Sequence, residues 1–262
     1  MATELATHLN LVIAKTGPML VRTPRWVRAK IGDVYVADSK RVMLVREPGT
    51  LPVFAFPRQD VRADVLRPTS ETRESPNLGP IASYSIELGG RVLENAAWTW
   101  PSLPDEYASL ADHVAFRWDA IDHWYEESEE IFRHPRDPFH RVDAIASERH
   151  VRILHDGQVI AESRRPRLLF ETGHPVRYYL PTEDIRMELL EPTDSVFACP
   201  YKGTASYWRV KDDASGRDIA WSYADPVREC PSIRGLISFY NERIDGIEVD
   251  GDLVTKPQTN WS

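Results

Sequence analysis

Cys199 and Lys202 lie three residues apart in the segment Cys199-Pro200-Tyr201-Lys202-Gly203, and few other side chains in this 262-residue chain are so placed for chemistry. A cationic neighbour favours the thiolate, the nucleophilic form of cysteine, so the pair suits covalent catalysis with Lys202 as electrostatic activator. Gly203 lets the backbone approach a ligand closely. The competing reading is structural: a free cysteine is usually buried as a small hydrophobe, and Pro200 and Gly203 then only shape a turn. Arg177 interrupts an apolar run beside Tyr178 and offers a planar fork to a carboxylate or phosphate; pairing within the domain, with Glu171 or Asp184, is the alternative. Tyr178, Tyr207, Trp208, Trp221 and Tyr223 are expected to wall a pocket that is apolar in body and polar at its tips.

These residues belong to a duplicated pattern. Val36-Ala37-Asp38-Ser39 returns as Ile160-Ala161-Glu162-Ser163, and Arg41, Leu44, Glu47, Gly49, Asp60 and Arg62 return as Arg165, Leu168, Glu171, Gly173, Asp184 and Arg186. With a one-residue deletion placed before Ala82, Ala82-Ser83-Tyr84 falls on Ala205-Ser206-Tyr207 and Ala97-Trp98 on Ala220-Trp221. In that register Cys199 meets Pro76, Lys202 meets Gly79 and Arg177 meets Val53, so the first copy lacks all three reactive groups. Glu171 and Asp184, shared with Glu47 and Asp60, are read as structural.

The organisation expected is an N-terminal arm over 1–26, a first β repeat over 27–125, a joining segment over 126–149, a second repeat over 150–251 and a tail over 252–262. Short branched runs at His150–His155, Gln158–Glu162, Arg167–Glu171 and Val176–Leu180 read as strands. Asp156-Gly157 marks a type I′ hairpin, and Gly32-Asp33, in reversed order, takes its place in the first copy. A short helical turn is expected after Pro181, capped by Thr182. Thr69–Pro80 reads as a polar surface loop, and Glu126, Glu127, Glu129 and Glu130 as a solvated face.

A net charge of -8 argues against a nucleic-acid backbone as partner. Cys199 and Cys230 are too few for a disulfide framework and match no CxxC pair. His113, His123, His134, His140, His150, His155 and His174 show no metal-ligand spacing, and His134 and His140 are expected to bond the backbone near the join. No metal or cofactor is expected. No apolar run approaches membrane length, and two cysteines suit a reducing compartment, so the expectation is a cytoplasmic protein without a membrane partner. Oligomeric state is open.

The motifs Arg177-Tyr178-Tyr179-Leu180-Pro181, Cys199-Pro200-Tyr201-Lys202-Gly203-Thr204-Ala205-Ser206-Tyr207-Trp208, Ala220-Trp221-Ser222-Tyr223 and His134-Pro135-Arg136-Asp137-Pro138 resemble tandem members of the bacterial and fungal "domain of unknown function 427" family, also labelled nucleotidyltransferase-like. The resemblance implies a mainly β fold: two compact curled antiparallel domains of β-tent or barrel-like form with short helical turns. The residues show neither a Gly-rich phosphate loop nor paired aspartates on one strand. The reading favoured is a small-molecule site in the second repeat for an anionic or planar ligand, with Cys199 as the nucleophile if the site is catalytic. A protein-interaction module and a nucleotidyltransferase are the alternatives.

Overall fold

The computed structural model describes residues 17–213 and 215–259. The chain divides into two compact units, one ending at Asp137 and the other taking up at Pro138. In the first, β1 (Met19–Arg22), β4 (Met43–Arg46), β5 (Val53–Pro57), β9 (His113–Phe116), β8 (Arg91–Thr99), β7 (Gly79–Leu88) and β6 (Leu66–Ser75) lie side by side in that order. A smaller sheet has the order β11 (Glu129–Ile131), β10 (His123–Glu126), β2 (Val27–Ile31), β3 (Val34–Ser39).

The second unit repeats this plan. Its large sheet runs β12 (Val142–Ala146), β15 (Arg167–Glu171), β16 (Arg177–Leu180), β20 (Ile237–Phe239), β19 (Ala220–Pro226), β18 (Gly203–Val210), β17 (Leu190–Cys199). Its small sheet runs β14 (Gln158–Ser163), β13 (Val151–His155), β21 (Gly246–Val249), β22 (Asp252–Leu253). All pairings within these sheets are antiparallel. The remaining regular structure consists of short 3-10 turns, so the chain is mainly β, as its composition of short branched runs requires.

Alternation along each strand gives each large sheet two occupied faces. In the second repeat one face packs with the small sheet around Ile153, Ile160, Leu168, Tyr178, Leu180 and Phe239. The other carries Leu169, Tyr179, Trp221, Tyr223, Cys230 and Tyr240. The first repeat has the same division; Phe54, Phe56, Phe116 and Trp124 fill the inner core, and Trp124 stacks on Trp118 at 4.5 Å between centroids.

Several local expectations change. The segment 69–80 is largely strand: β6 and β7 form a long ribbon whose polar side chains face solvent, with a bulge between Pro68 and Thr72 absorbing the turn-like composition. Strands extend past the repeat limits read from the sequence. β1 pairs with β4 as β12 does with β15, β10 and β11 pair on past residue 125, and β22 pairs with β21. The N-terminal arm is therefore an edge strand over Met19–Arg22; residues 1–16 of it lie outside the described residues. Glu126 is buried and accepts a 2.5 Å bond from Arg25, so the acidic run is not wholly a solvated face. After Pro181 the chain makes two 3-10 turns; Pro181 itself holds the cap position, and Thr182 makes no capping bond.

Asp156 and Gly157 both have positive φ, as type I′ demands. In the first copy Gly32 is positive and Asp33 is not, which is the type II′ pattern. Asp60 and Asp184 hold equivalent places: each accepts from a buried serine (Ser39 at 2.6 Å, Ser163 at 2.7 Å) and pairs with an arginine (Arg41, Arg165). Among the described residues no helix is long and apolar enough to cross a membrane.

Candidate functional site

The site is assembled around Glu171, the last residue of β15. Its side chain points with Leu169 away from the inner core. The β12–β15 ladder runs Val142 opposite Glu171, and it continues as Thr172 N–H donates to Arg141 O (3.0 Å) while Arg141 N–H donates to Thr172 Oγ1 (3.0 Å). That extension carries His140 alongside the β15–β16 turn, and its Nε2–H donates to Glu171 Oε1 at 3.0 Å. The other carboxylate oxygen, Oε2, accepts from Lys202 Nζ. The pair is well buried: Glu171 is 5% exposed and Lys202 12%.

Lys202 reaches Glu171 because the β17–β18 connection is three residues long, with Cys199 opposite Gly203. Gly203 has φ +107, and a Cβ there would stand 3.0 Å from Asp225 O and 3.2 Å from Pro226 Cα, so only glycine fits. Tyr201, on the same turn, stacks on the His140 ring at 4.0 Å between centroids. His174, three residues beyond Glu171, lies edge-on to His140 at 5.9 Å, and its Nδ1–H donates to Thr172 O at 3.0 Å.

Burial by itself would push the Glu171 carboxyl up, but the His140 hydrogen bond and the Lys202 charge outweigh it and hold the group at about 2. Glu171 is therefore a buried anion paired to a buried cation. Burial pushes His174 down, which favours its neutral ring, and pushes the phenols of Tyr179 and Tyr223 up.

The sheet register corrects the comparison of the two copies. Ser75 pairs with Gly79 as Cys199 pairs with Gly203, and Pro68 pairs with Tyr84 as Pro192 does with Trp208. Trp98 lies opposite Ser83 as Trp221 lies opposite Tyr207. The deletion thus falls in the β7–β8 hairpin, beyond the segment of interest. Cys199 corresponds to Ser75 rather than Pro76, and Lys202 to Leu78 rather than Gly79. In the first repeat Glu47 accepts from Ser75 Oγ (2.6 Å) and from Asn77 N–H (3.1 Å), and Leu78 is 0% exposed in an apolar cluster. One glutamate is shared; around it, a hydroxyl and a leucine in one copy have become a thiol and an ammonium in the other.

Strand alternation divides the expected aromatic wall. Cys199, Tyr207, Trp221 and Tyr223 gather in the outer cluster with Cys230. Tyr178 and Trp208, each next in chain to a member of the outer-face set, point into the inner core instead. Arg177 lies on the outer face but gives its guanidinium to Glu242, with Nη1 and Nη2 each 2.7 Å from a carboxylate oxygen, and stacks over Trp221 and Tyr240. The carboxylate that takes the Arg177 fork is thus Glu242, from a segment far along the chain. Trp221 Nε1–H donates to Tyr179 Oη at 2.9 Å, which settles two polar tips inside the core.

His134 does bond backbone, through Nδ1 and Pro135 O at 2.8 Å, whereas His140 turns to Glu171. His140, His174 and Glu242 carry interactions that residue spacing did not flag. The available signals were the Glu171-x-x-His174 spacing across a turn and the place of His140 just ahead of a strand that must pair with β15.

The two thiols differ in setting. Cys230 is buried and its thiol is pushed up by that burial, while Cys199 is half-buried on the rim of the same cluster. Native-state alkylation at neutral pH, read site by site by mass spectrometry, should label Cys199 well ahead of Cys230. Equal rates would show that the outer cluster opens as a unit.

Two tandem copies of one curled antiparallel domain, the second with buried charge where the first has apolar side chains, define the class: a duplicated all-β protein with diverged repeats. A family model described as "Domain of unknown function (DUF427)" matches twice, over residues 19–127 and 143–250, and the chain belongs to that family. No curated protein matches the chain.

Proposed function

We propose that the second repeat is a small-molecule-binding domain whose site is the Glu171 cluster, with Lys202, His140 and Tyr201 as its polar and aromatic contacts and Cys199 as an adjoining nucleophile. The observation that carries this reading is the Lys202–Glu171 pair itself. The first repeat shows that the fold closes over the equivalent glutamate with a leucine, Leu78, and a serine, Ser75. Taking two charges out of water is costly, so a buried pair is weak evidence of a stabilising role. An anionic group entering beside Glu171 draws Lys202 away as its counter-ion, and a planar body extends the Tyr201–His140 stack. The Arg177 fork, bound to Glu242, serves the packing of Trp221 and Tyr240 in this scheme rather than the ligand.

The test is a thermal-shift screen of small carboxylates, phosphate esters and nucleotides with and without magnesium. It compares the wild type with the double variant Cys199→Ser/Lys202→Leu, which installs the first-repeat side chains. A shift by a carboxylate or phosphate ester in the wild type, lost in the double variant, is the expected result. A shift that survives in the double variant, or none across the screen, overturns the reading. A shift seen only with nucleotide plus magnesium favours the transferase alternative.

A further inference from the structure

We propose that His140, Glu171 and His174 form a binding site for a divalent transition-metal ion of the zinc type. One donor atom from each lies within 4.8 Å of the others. Two imidazoles and one carboxylate are a donor set that suits zinc or ferrous iron and leaves a coordination position for water or a ligand.

Three features of the geometry favour this use. His174 donates its Nδ1–H to Thr172 O, which leaves Nε2 as the nitrogen this ring would offer to a metal. Metal-binding histidines are commonly oriented by such a bond to a backbone carbonyl. The Glu171 oxygens are divided: Oε2 is held by Lys202, and Oε1 faces His140. A metal takes Oε1 without breaking the Lys202 pair, which then orients the carboxylate. It also takes the place of the hydrogen that His140 Nε2 now directs at Oε1, so that ring binds as its Nδ1–H tautomer.

Zinc with arms of about 2.1 Å sets its donors roughly 3.4 Å apart, a spacing that three donors all within 4.8 Å of one another, with His140 Nε2 and Glu171 Oε1 at 3.0 Å, reach by a small adjustment. His140 precedes β12 and His174 sits in the β15–β16 turn, so two of the three ligands are on connecting segments able to make that adjustment. Lys202 offsets the Glu171 charge, leaving a nitrogen-rich set of little net charge. That disfavours calcium and magnesium, which want several hard oxygens.

The experiment is equilibrium dialysis of the purified full-length chain against Zn²⁺, with metal content measured per chain, alongside the visible spectrum of the Co²⁺-loaded protein. The variants are His140→Ala, His174→Ala and Cys199→Ser/Lys202→Leu. One equivalent of zinc is expected in the wild type and in the double variant, which keeps all three ligands. Affinity should fall at least about 100-fold in either histidine variant, more than orienting partners alone usually contribute. Magnesium and calcium at millimolar concentration should not compete.

Wild-type protein without zinc, or zinc retained at full affinity in both histidine variants, overturns the proposal. Should a histidine variant fail to fold, the wild-type cobalt spectrum decides: intense bands of a low-coordinate, nitrogen-ligated ion support the site, and weak octahedral bands overturn it. The double variant separates this inference from the anion-site reading, because it removes Lys202 and Cys199 and leaves the metal donors intact.

Discussion

Replacing Glu242 with alanine should destabilise the second repeat by about 3–5 kcal/mol, because it strands the Arg177 guanidinium inside the protein. The pair is well enclosed, with the Glu242 side chain 0% exposed and Arg177 8%. Two parallel 2.7 Å bonds join them, Thr259 Oγ1–H donates to Glu242 Oε1 at 2.8 Å, and the guanidinium lies over Trp221 and Tyr240. The first repeat does without this pair: Val53 occupies the place of Arg177 in the strand ladder. The double change Arg177→Met/Glu242→Leu should therefore lie close to wild type, since removing both charges leaves nothing uncompensated. Urea unfolding of the full chain, with hydrogen exchange resolved at β16, β19 and β20, measures both. Equal losses in the single and double variants would mean that side-chain volume, not charge pairing, matters here.

The same pair sets a pH dependence. Burial alone would raise the Glu242 carboxyl, but the Arg177 hydrogen bonds and charge prevail and hold it below the ordinary carboxylate range. Unfolded, the group titrates near about 4.3. Its folded pKa is the lower one, so its contribution is fully present above about pH 4.3 and is lost as pH falls through the folded value. Acid unfolding of the second repeat should thus lose part of its steepness in Arg177→Met/Glu242→Leu. An unchanged acid profile would remove Glu242 from the account.

The second large effect is at Lys202. Lys202→Ala leaves the Glu171 carboxylate buried with the His140 hydrogen bond but without its ammonium partner, and a loss of about 3–5 kcal/mol is expected. Lys202→Leu combined with Cys199→Ser should recover most of it. The new hydroxyl can donate to Glu171 as Ser75 donates to Glu47, and leucine fills the volume that Leu78 fills in the first repeat. Unfolding midpoints of the three proteins, compared at one pH, check this. If the double variant is as unstable as Lys202→Ala, the two repeats are not interchangeable around the shared glutamate, and the role proposed for Lys202 loses its basis.

The duplication, the β class and the hairpin at Asp156-Gly157 were legible in the residues because each rests on local information: repeated identities, branched runs bounded by Gly and Pro, and a turn needing two positive φ values. The same locality misled at Thr69–Pro80. There a polar composition marked a loop, although a two-stranded ribbon exposed on one face tolerates polar side chains as well as a loop does. It also misplaced the deletion, because Ala82-Ser83-Tyr84 matches Ala205-Ser206-Tyr207 by eye while backbone pairing puts Ala82 level with Ser206.

The residues by themselves determined that this protein is two copies of one β domain, that Glu171 is common to both, and that Cys199 and Lys202 are particular to the second. Only the tertiary structure decided what those groups touch. Whether Tyr178 shares a space with Trp221 depends on which face of a sheet each side chain takes, and a shift of one residue reverses the answer. Whether His140 and His174 meet at Glu171, or Arg177 finds Glu242 rather than a nearer carboxylate, depends on pairing between strands far apart in the chain. Spacing along the backbone carries local geometry; the partners of a buried charge are set by register and by the need to compensate it wherever the fold brings it to rest.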